Sequence, residues 1–428
     1  MQLFALVSLG VLTAAAAVNA QTAVSPHVAA SLLPSGMFST QGNQIVDQNQ
    51  NPVRLTCVYW PGMNGEDGVL YNLTGPFDGI QANVDQIAAT GFNCIRVDIN
   101  NISLHDSGTA AFVDQLDQLV AAAGNDKIRI IIVDHDNEGN YGSNDNYTND
   151  CAAQQSNGIW YDLGGASNGT DGCNDPGHTT QSIFEGDWVW VANHYANNDT
   201  VIGYDLWNEP LSYGDSTWGD GSDRDIHLMY ETVGSAMLAQ DSSKLIFAEC
   251  PQNYGPATLY DGVTHGNAPW GDCTGVKNYP VVFTVNGTQI TNKVVYDVHL
   301  YPNSISGIAS LFGGSSSSPS AIEAMNYSFG FLESQNIAPV WDGESGSGLQ
   351  VNPDDTDWAT MLDNYLNGLL GAQGGPTFSS GQQGIGIAWM DWGTQSPTST
   401  EALGILNSDG SRNQAQLNVV IPLLYSPQ

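Results

Sequence analysis

Eight short apolar runs recur along the chain, with helix-like stretches between them, and this alternation constrains the fold more than any other feature. The runs are continuously apolar, which is typical of parallel strands that are buried on both faces of a sheet. They end near Trp60, Ile99, Asp134, Trp207, Glu249, Leu300, Glu344 and Trp392. Eight strands with intervening helices predict an α/β fold, specifically a (β/α)8 TIM barrel.

The helix-like stretches carry apolar residues three and four positions apart. In the segment 110–123, Phe112, Leu116 and Leu119 fall on one face, as in an amphipathic helix packed on a sheet. Further helices are predicted over 77–90, 183–195, 225–240, 321–334 and 357–370. Residues 37–55 predict a short N-terminal β-hairpin, with two strands around the turn-forming segment 47–52.

The first 20 residues contain a short apolar stretch and end in small residues. This pattern is typical of a secretory signal peptide, here cleaved before Gln21. A transmembrane helix needs about 20 apolar residues with flanking anchors, and the stretch is shorter than that. We therefore expect a signal peptide over 1–20, a leader over 21–34, a single barrel domain over 35–428, and an extracellular location.

The net charge of the chain limits the kinds of partner that the protein can bind. The net charge of −35 comes from 44 acidic and 9 basic residues. Such a chain is a poor match for nucleic acid or an anionic membrane surface. No spacing of cysteine and histidine suggests a zinc site. We expect a protein that acts without a metal or other cofactor, and that is a monomer.

Six cysteines form an even set, as in disulfide-bonded secreted proteins. The expected pairs are Cys151–Cys173 and Cys250–Cys273, each closing one loop-rich segment. Cys57 and Cys94 lie in apolar, strand-like runs. The sequence does not decide whether they form a disulfide or remain buried free thiols. Acceptor sequences for N-glycosylation also occur, mostly in loop-like segments. They begin at Asn72, Asn101, Asn146, Asn168, Asn198, Asn286 and Asn326.

The carboxyl ends of parallel barrel strands converge on one face, and the loops there carry the chemistry. The side chains at these predicted ends are Trp60, Arg96, His135, Asn208, Glu209, Glu249, His299, Tyr301, Glu344 and Trp389. Polysaccharide hydrolysis needs such an array, because one carboxylic acid protonates the leaving oxygen while a second attacks the anomeric carbon or activates water. Motifs of competing enzyme classes, such as GxGxxG and the Walker loop, do not occur in the sequence.

Arg96 lies inside an apolar run, "FNCIRVDI". A buried guanidinium needs a carboxylate partner, and removing one member of such a pair costs about 3–5 kcal/mol. Glu344 is a candidate partner once the barrel closes. This pair would lower the pKa of Glu344, whereas a drier environment would raise that of Glu209.

The segments "IGYDLWNEP", "YDVHLYP", "NIAPVWDGESG" and "GIAWMDW" occur in the order and spacing of glycoside hydrolase family 5. The chain resembles this family over nearly all of its mature length, and is most similar to its endo-β-1,4-glucanase (cellulase) branch. The resemblance implies a retaining mechanism, with Glu209 as the general acid/base and Glu344 as the nucleophile. Asn208 would then bind the sugar 2-hydroxyl.

The same resemblance implies roles for other strand-end residues. Arg96 would hold Glu344 ionised, and His299 and Tyr301 would flank the two carboxylates, with Tyr301 hydrogen-bonded to the nucleophile. Trp389 would form the floor under the sugar that is cleaved. Retention also implies that the carboxylates of the pair lie about 5–5.5 Å apart.

One segment departs from the family pattern. The third strand of the family usually ends in Asp-x-His-Asn, with the histidine bound to the sugar 3-hydroxyl, but this chain reads Asp134-His135-Asp136-Asn137. A shift of one residue changes the face of a strand. Either a bulge restores His135 to the site or Asp136 takes its place.

Several alternatives stay open from the sequence. The substrate could be another β-glycan, as in a β-mannanase, a β-1,3- or β-1,6-glucanase or an exo-glucosidase, and a glycan-binding protein on an inactive barrel is the non-enzymatic alternative. Glu249 is expected to support the acid/base residue rather than to react. The loop 137–182 would wall one end of the cleft. Aromatic residues near the strand ends would either bind outer sugars or pack the loops: Tyr59, Trp60, Trp160, Tyr161, Trp218 and Trp270.

Overall fold

The computed structural model describes residues 32–64, 68–100, 104, 109–135, 159–161, 180–211, 216–348, 355–394 and 403–424. The predicted signal peptide, Asp136, the Cys151–Cys173 pair and most of the loop 137–182 lie outside these residues. Within the described part of the chain, no helix is long and apolar enough to cross a membrane.

A small antiparallel sheet precedes the barrel. Its strands are β1 (Ser39–Gln41), β2 (Gln44–Val46) and β3 (Pro52–Val53). The predicted hairpin around 47–52 is present, because β2 pairs with β3. The prediction missed the second turn, at Gly42 and Asn43, which splits the first expected strand into β1 and β2. Gly42 has a φ of 57°, a left-handed conformation that glycine adopts at little cost.

Eight parallel strands close into a barrel, so the predicted (β/α)8 fold is confirmed. The barrel strands are β4 (Thr56–Trp60), β5 (Cys94–Ile99), β6 (Arg129–Asp134), β7 (Val201–Asp205), β8 (Leu245–Glu249), β13 (Val294–Leu300), β14 (Val340–Ser345) and β15 (Gly386–Trp389). Every residue in these strands is buried, which explains why their sequences do not alternate between apolar and polar. Between β8 and β13 lie two hairpins, formed by β9 (Asn253–Thr258) with β10 (Thr264–Ala268) and by β11 (Phe283–Val285) with β12 (Thr288–Ile290).

Helices follow most barrel strands and cover the outside of the barrel. They are α1 (Ile80–Thr90), α2 (Thr109–Asp126), α3 (Gln181–His194), α4 (Ile226–Leu238), α5 (Asn303–Ser306), α6 (Pro319–Met325), α7 (Phe331–Ser334), α8 (Asp355–Leu366) and α9 (Gln414–Leu423). The helix predicted over 321–334 is interrupted by a π-helical turn at Asn326–Gly330. Helix α9 was not predicted.

Two strands end earlier than predicted. β7 ends at Asp205 rather than near Trp207, and β15 ends at Trp389 rather than near Trp392. Beyond β7 the backbone enters the left-handed region at Glu209, with a φ of 48°, so the chain cannot continue the ladder. The early end leaves Asn208 and Glu209 on a turn at the mouth of the barrel.

The N-terminal sheet closes the opposite end of the barrel. Phe38 and Ile45 from this sheet pack with Leu33 against side chains that point into the barrel, such as Phe247 and Trp341. These residues form an apolar cluster separate from the larger core between strands and helices. The barrel is therefore filled at its amino end, and only its carboxyl end is available for polar chemistry.

Two disulfides lie in the described part of the chain. The expected bond between Cys250 and Cys273 is present, with the Cα atoms 5.1 Å apart. Cys57 and Cys94, for which free thiols were equally open, also form a disulfide. The two cysteines lie directly opposite each other on the neighbouring strands β4 and β5, with their Cα atoms 4.3 Å apart. Only the register of the strands brings them together.

Candidate active site

Arg96 is the hub of the polar cluster at the carboxyl end of the barrel. It lies on β5 and is fully buried. Its Nη1 donates to Glu344, as expected from the sequence. Its Nε and Nη2 donate to Asp205 Oδ2 over 3.2 and 2.7 Å, and Nη2 also donates to Asn208 Oδ1 over 2.9 Å. The guanidinium thus holds residues from three strands in one arrangement.

Asp205 is a site residue that the sequence reasoning missed. It is fully buried near the end of β7 and shares the charge of Arg96 with Glu344. The sequence does indicate this residue, because an aspartate inside the apolar run "VIGYDLW" needs a partner as much as a buried arginine does.

Glu344 on β14 is buried and surrounded by donors. The Tyr301 hydroxyl donates to its Oε2 over 2.9 Å, and His135 Nε2 lies 3.4 Å from its Oε1. Burial alone would raise the pKa of Glu344, but the neighbouring His299, Arg96 and His135 outweigh burial and hold the pKa well below its ordinary value. This carboxylate therefore stays ionised to lower pH than an ordinary glutamate, which suits a nucleophile.

Glu209 lies in a different environment. Its side chain is 35% exposed, whereas that of Glu344 is 4% exposed. His299 Nδ1 lies 2.9 Å from Glu209 Oε1. The backbone of Glu209 is left-handed, which is uncommon for a residue other than glycine, and its N–H donates to Glu249 Oε2 over 2.7 Å. Glu249 therefore holds the strained peptide that carries Glu209.

His299 stands between the carboxylates. Its Nδ1 lies 2.9 Å from Glu209, 3.4 Å from Glu249 and 3.5 Å from Glu344. One ring nitrogen is therefore within reach of all three carboxyl groups. One oxygen of Glu209 and one of Glu344 lie within 4.8 Å of each other, so a glycosidic bond placed between them would be in reach of both.

The same three residues, Glu209, His299 and Glu344, form the one group among the described residues that is close enough to hold a metal ion. Both oxygens of Glu344, however, already accept hydrogen bonds from Arg96 and Tyr301. A guanidinium on the carboxylate disfavours a second cation at the same oxygen. The chemistry of this donor set therefore fits a reacting carboxylate pair better than a metal centre.

The contacts of Asn208 fix the orientation of its side-chain amide. Its Oδ1 accepts from the guanidinium of Arg96 over 2.9 Å, and a guanidinium can only donate. The Nδ2 group of Asn208 is therefore the free end, and it is a donor. Its main-chain N–H donates to the carbonyl of Asp134 over 3.0 Å, which fixes the residue to the neighbouring strand.

Below the two glutamates lies a group of buried acids on neighbouring strands. Burial, and then the charges of Asp297, Asp205 and Glu209, raise the pKa of Glu249 well above its ordinary value. Burial and the charge of Asp205 likewise raise the pKa of Asp297. Asp297 Oδ1 accepts from the N–H of Gly343 over 2.8 Å. These carboxyl groups therefore hold protons under conditions where Glu344 does not.

His135 faces the site. Its Nε2 lies 3.4 Å from Glu344 Oε1 and its side chain is 14% exposed. The structure thus brings His135 to Glu344 despite its position one residue early. Asp136, the other candidate, lies outside the described residues. His135 follows the last residue of β6 and donates its N–H to the carbonyl of Ile99 over 3.0 Å.

Trp60 and Trp389 are placed at the expected strand ends, but both are fully buried. The indole N–H of Trp60 donates to the carbonyl of Tyr71 over 2.9 Å. In this structure Trp60 therefore packs against the loop after β4, and its role as a binding residue stays a prediction. For Trp389 the role of sugar floor stays a prediction.

Most of the other aromatic candidates are also buried. The buried ones are Tyr59, Trp160, Trp218 and Trp270. The indole N–H of Trp270 donates to the carbonyl of Tyr301 over 3.0 Å and so supports the tyrosine beside the nucleophile. Tyr161 is partly exposed. Tyr71, on the loop after β4, is 57% exposed, and the sequence reasoning did not single it out.

An ionised buried carboxylate within 4.8 Å of a partly exposed one, each held by its own donors, is suited to acid/base and nucleophilic chemistry on a glycosidic bond. A strained backbone at Glu209 is the kind of feature that clusters at reacting groups. The geometry therefore points to the reaction class that the sequence predicted.

Comparisons with known proteins agree with this reaction class. An endoglucanase of Paenibacillus polymyxa is 28% identical over 395 residues, which cover 86% of this chain and 86% of that protein. The catalytic domain of the major endoglucanase of Xanthomonas campestris pv. campestris has a similar fold, with a TM-score of 0.68 at 21% identity, over 90% of this chain and 99% of that one. A cellotetraose complex of an endocellulase from Pyrococcus horikoshii superimposes equally well, with a TM-score of 0.68 at 21% identity, over 92% of this chain and 100% of that one.

At these identities the two solved structures establish the fold alone. The family assignment rests on the sequence match: the family model for cellulases, glycosyl hydrolase family 5, matches residues 46–393. That match spans β2 to the turn after β15 and includes every site residue described above. The chain belongs to the cellulase family, glycosyl hydrolase family 5, and is a glycoside hydrolase.

Proposed function

We propose that the protein is an endo-β-1,4-glucanase that cleaves its substrate by double displacement with retention of configuration. The observation that carries the proposal is the contrast between two close carboxylates. Glu344 is buried among donors with a lowered pKa, and Glu209 is partly exposed with an oxygen within 4.8 Å of Glu344. Carboxylates about 5–5.5 Å apart are typical of retaining enzymes, whereas inverting enzymes need about 6.5–9.5 Å to admit a water.

In the first step the carboxylate of Glu344 attacks the anomeric carbon, and Glu209 gives its proton to the leaving glycosidic oxygen. The bond between the anomeric carbon and that oxygen breaks as the glycosyl–Glu344 ester forms. The hydroxyl of Tyr301 and the guanidinium of Arg96 orient Glu344 for attack. The Nδ2 group of Asn208 is the donor available to the 2-hydroxyl of the sugar.

In the second step Glu209, now ionised, takes a proton from a water that attacks the anomeric carbon. The ester bond to Glu344 breaks, and the sugar leaves with its original configuration. Exposure of Glu209 suits this step, because the water must reach its carboxylate. Burial of Glu344 suits the first step, because it keeps bulk water away from the attacking carboxylate.

The substrate class is supported by relatives. The curated relative from Paenibacillus polymyxa is named an endoglucanase, and a structural neighbour from Pyrococcus horikoshii was solved with cellotetraose. Soluble carboxymethyl-cellulose, mannan, laminarin and pustulan, tested side by side, separate this proposal from a β-mannanase or a β-1,3- or β-1,6-glucanase. Release of mixed short oligosaccharides from carboxymethyl-cellulose is expected, whereas release of glucose alone would indicate exo action.

Variants of the two glutamates test the mechanism. Glu344→Gly should lose hydrolysis by on the order of 10⁴-fold, the scale of removing a nucleophile, and added azide should restore turnover with an α-glycosyl azide as product. Glu209→Gly should keep activity on aryl glycosides with good leaving groups, and azide should then yield the β-glycosyl azide. The surface variant Glu323→Gln on α6 serves as control. Unchanged hydrolysis in Glu344→Gly, or α-anomer as the first product seen by proton NMR, would contradict the mechanism.

We further propose that the chain is secreted as a monomer. The apolar stretch 1–20 supports secretion, as do two disulfides in the described residues, since such bonds persist in oxidising compartments. Expression in a secreting host followed by mass spectrometry should find a mature chain that begins at Gln21. Retention of residues 1–20 on protein recovered from the medium would contradict this proposal.

A further inference from the structure

His135 lies against the nucleophile, and the loop after β4 contacts it on the other side. The side chain of Asn64, on this loop, lies with its Nδ2 3.3 Å from His135 Nδ1 and 3.2 Å from the main-chain oxygen of His135. One amide group therefore meets both the ring and the backbone of the same residue. This contact has no part in the mechanism described above.

The orientation of the Asn64 amide follows from its partners. The two ends of an asparagine amide are assigned from their hydrogen bonds, and a main-chain carbonyl oxygen can only accept. The atom of Asn64 that faces the carbonyl of His135 must therefore be the Nδ2 donor. The second hydrogen of that NH₂ group is directed to His135 Nδ1.

The same contact decides which ring nitrogen of His135 carries the proton. A donor facing Nδ1 requires that Nδ1 accepts, so in the neutral ring the proton is on Nε2. Nε2 is the nitrogen that lies 3.4 Å from Glu344 Oε1. The N–H of the ring is thus directed at the nucleophile.

Asn64 is itself held in place. Asp98, buried on β5, accepts hydrogen bonds from the Tyr59 hydroxyl over 2.8 Å and from the main-chain N–H groups of Gly62 and Met63 over 3.2 and 3.0 Å. The side chain of Asn100 donates to the main-chain oxygen of Asn64 over 2.9 Å. The loop is therefore anchored to the barrel just before Asn64 and at Asn64 itself.

We propose that Asn64 is a positioning residue that holds His135 as the neutral Nε2–H tautomer beside Glu344. In this chain the histidine comes one residue earlier than in the family pattern, and Asn64 supplies the contact that orients the displaced ring. The structural part of this inference stands on the resting protein, and its effect on catalysis rests on the proposed function.

The inference has a consequence for pH. Among the described residues, the charged and titratable groups that face His135 are Tyr59 on β4, Arg96 and Asp98 on β5, and Glu344 on β14. Burial acts to lower the pKa of His135, but Glu344 and Asp98 outweigh it and raise the pKa above its ordinary value. Protonation of Nδ1 would place one N–H against another, so Asn64 opposes it.

Nitrogen-15 NMR of histidine-labelled protein tests the inference without any substrate. The chain has 8 histidines, so the His135 signals are assigned by their loss in His135→Asn. Above the pKa of the ring, the wild type should show an unprotonated Nδ1 and a protonated Nε2. The fraction in this tautomer should fall in Asn64→Ala, and the titration midpoint should move to higher pH. Asn64→Asp, which is nearly isosteric, should raise the midpoint further, by about 1 pH unit, because it places a negative charge beside the ring.

Asn43→Ala is the matched control. Asn43 is a buried asparagine whose Nδ2 donates to the main-chain oxygen of Glu333 over 3.1 Å, at the far end of the barrel, so its loss should leave the His135 signals unchanged. On cellulose derivatives, Asn64→Ala should lower kcat/KM by roughly 10-fold or more, the scale of misplacing a reacting group. A protonated Nδ1 in the wild type, or identical His135 signals in wild type and Asn64→Asp, would overturn the inference. Failure of the proposed function would appear separately, as hydrolysis that survives Glu344→Gly.

Discussion

At the carboxyl end of the barrel one guanidinium, Arg96, lies among carboxylates, whereas at the amino end four cationic side chains lie among main-chain carbonyls. The latter are Arg54, Arg129, Lys244 and Lys293, each at or just before the start of a barrel strand. Arg129, for example, donates to the carbonyls of Asp199 and Leu33 over 3.1 Å each. Lys244 donates to those of Asn198 and Val201 over 2.7 and 2.8 Å.

The two ends differ in what burial does to the charge. At the amino end Lys244 has a carboxylate nearby, Asp241 at 3.3 Å, but for Lys293 and Arg54 burial outweighs the acids around them. It lowers the pKa of Lys293 to about 8 and that of Arg54 to about 10. At the carboxyl end burial acts in the same direction on Arg96, but Glu344 and Asp205 outweigh it and raise the pKa. A buried cation among carbonyls fixes chain segments, whereas one among carboxylates also sets the ionisation of its partners.

Replacing Arg96 should have the largest effect of any change to these cations. Arg96→Met leaves Glu344 and Asp205 buried without their shared cation, so we expect a loss of about 3–5 kcal/mol in the free energy of unfolding. The pKa of Glu344 should rise, so activity at low pH should fall more steeply than in the wild type. Urea unfolding and the pH profile of kcat/KM measure the two effects. Equal losses at all pH values would show that Arg96 does not set the ionisation of Glu344.

Changes at Glu249 should have an intermediate effect, confined to the carboxyl end. Because the pKa of Glu249 is raised, its neutral form resembles glutamine, which still offers an oxygen to the N–H of Glu209. Glu249→Gln should therefore retain most activity, whereas Glu249→Ala should lower kcat by about 10–100-fold with little change in KM, since the strained turn at Glu209 loses its acceptor. Steady-state kinetics on both variants decides this. Similar kinetics for the two variants would mean that the hydrogen bond does not position Glu209.

Lys293→Met should have the smallest effect on activity and should sharpen the contrast between the ends. The folded pKa of Lys293 is about 8 against an ordinary 10.5, so between these values the unfolded chain binds more protons and the stability of the wild type rises with pH. The stability difference, wild type minus variant, should be flat below pH 8 and should grow from about pH 8 to 10.5. Denaturant unfolding across this range measures it, with kcat/KM at neutral pH expected to be unchanged. A difference independent of pH would show that Lys293 is not the titrating group.

The meeting of the site residues at one end of the barrel was predictable from the topology. Once eight parallel strands close into a barrel, Arg96, Glu209 and Glu344 must meet at one end, whatever the details of packing. The pairing of Arg96 with Glu344 followed from the cost of burying a lone charge. These predictions needed only the order of the runs and the position of each residue within its run.

Other features depended on register and local backbone. The disulfide between Cys57 and Cys94 needs the two residues to be direct neighbours across β4 and β5. The burial of Trp60 depends on the loop that folds back over it. The second carboxylate on Arg96, Asp205, was visible in the sequence as a buried charge, but its partner was not.

The sequence by itself determined the barrel and the face that carries the chemistry, because these follow from hydrophobic pattern and chain order. The prediction that Glu209 and Glu344 are the reacting pair came from the resemblance to a known family. Only the tertiary structure decided that His135 reaches the nucleophile, that Glu249 holds the left-handed turn at Glu209, and that an asparagine from another loop faces the histidine ring. Such contacts depend on distances of a few ångströms between residues far apart in the chain. A pattern along the chain carries no information at that scale.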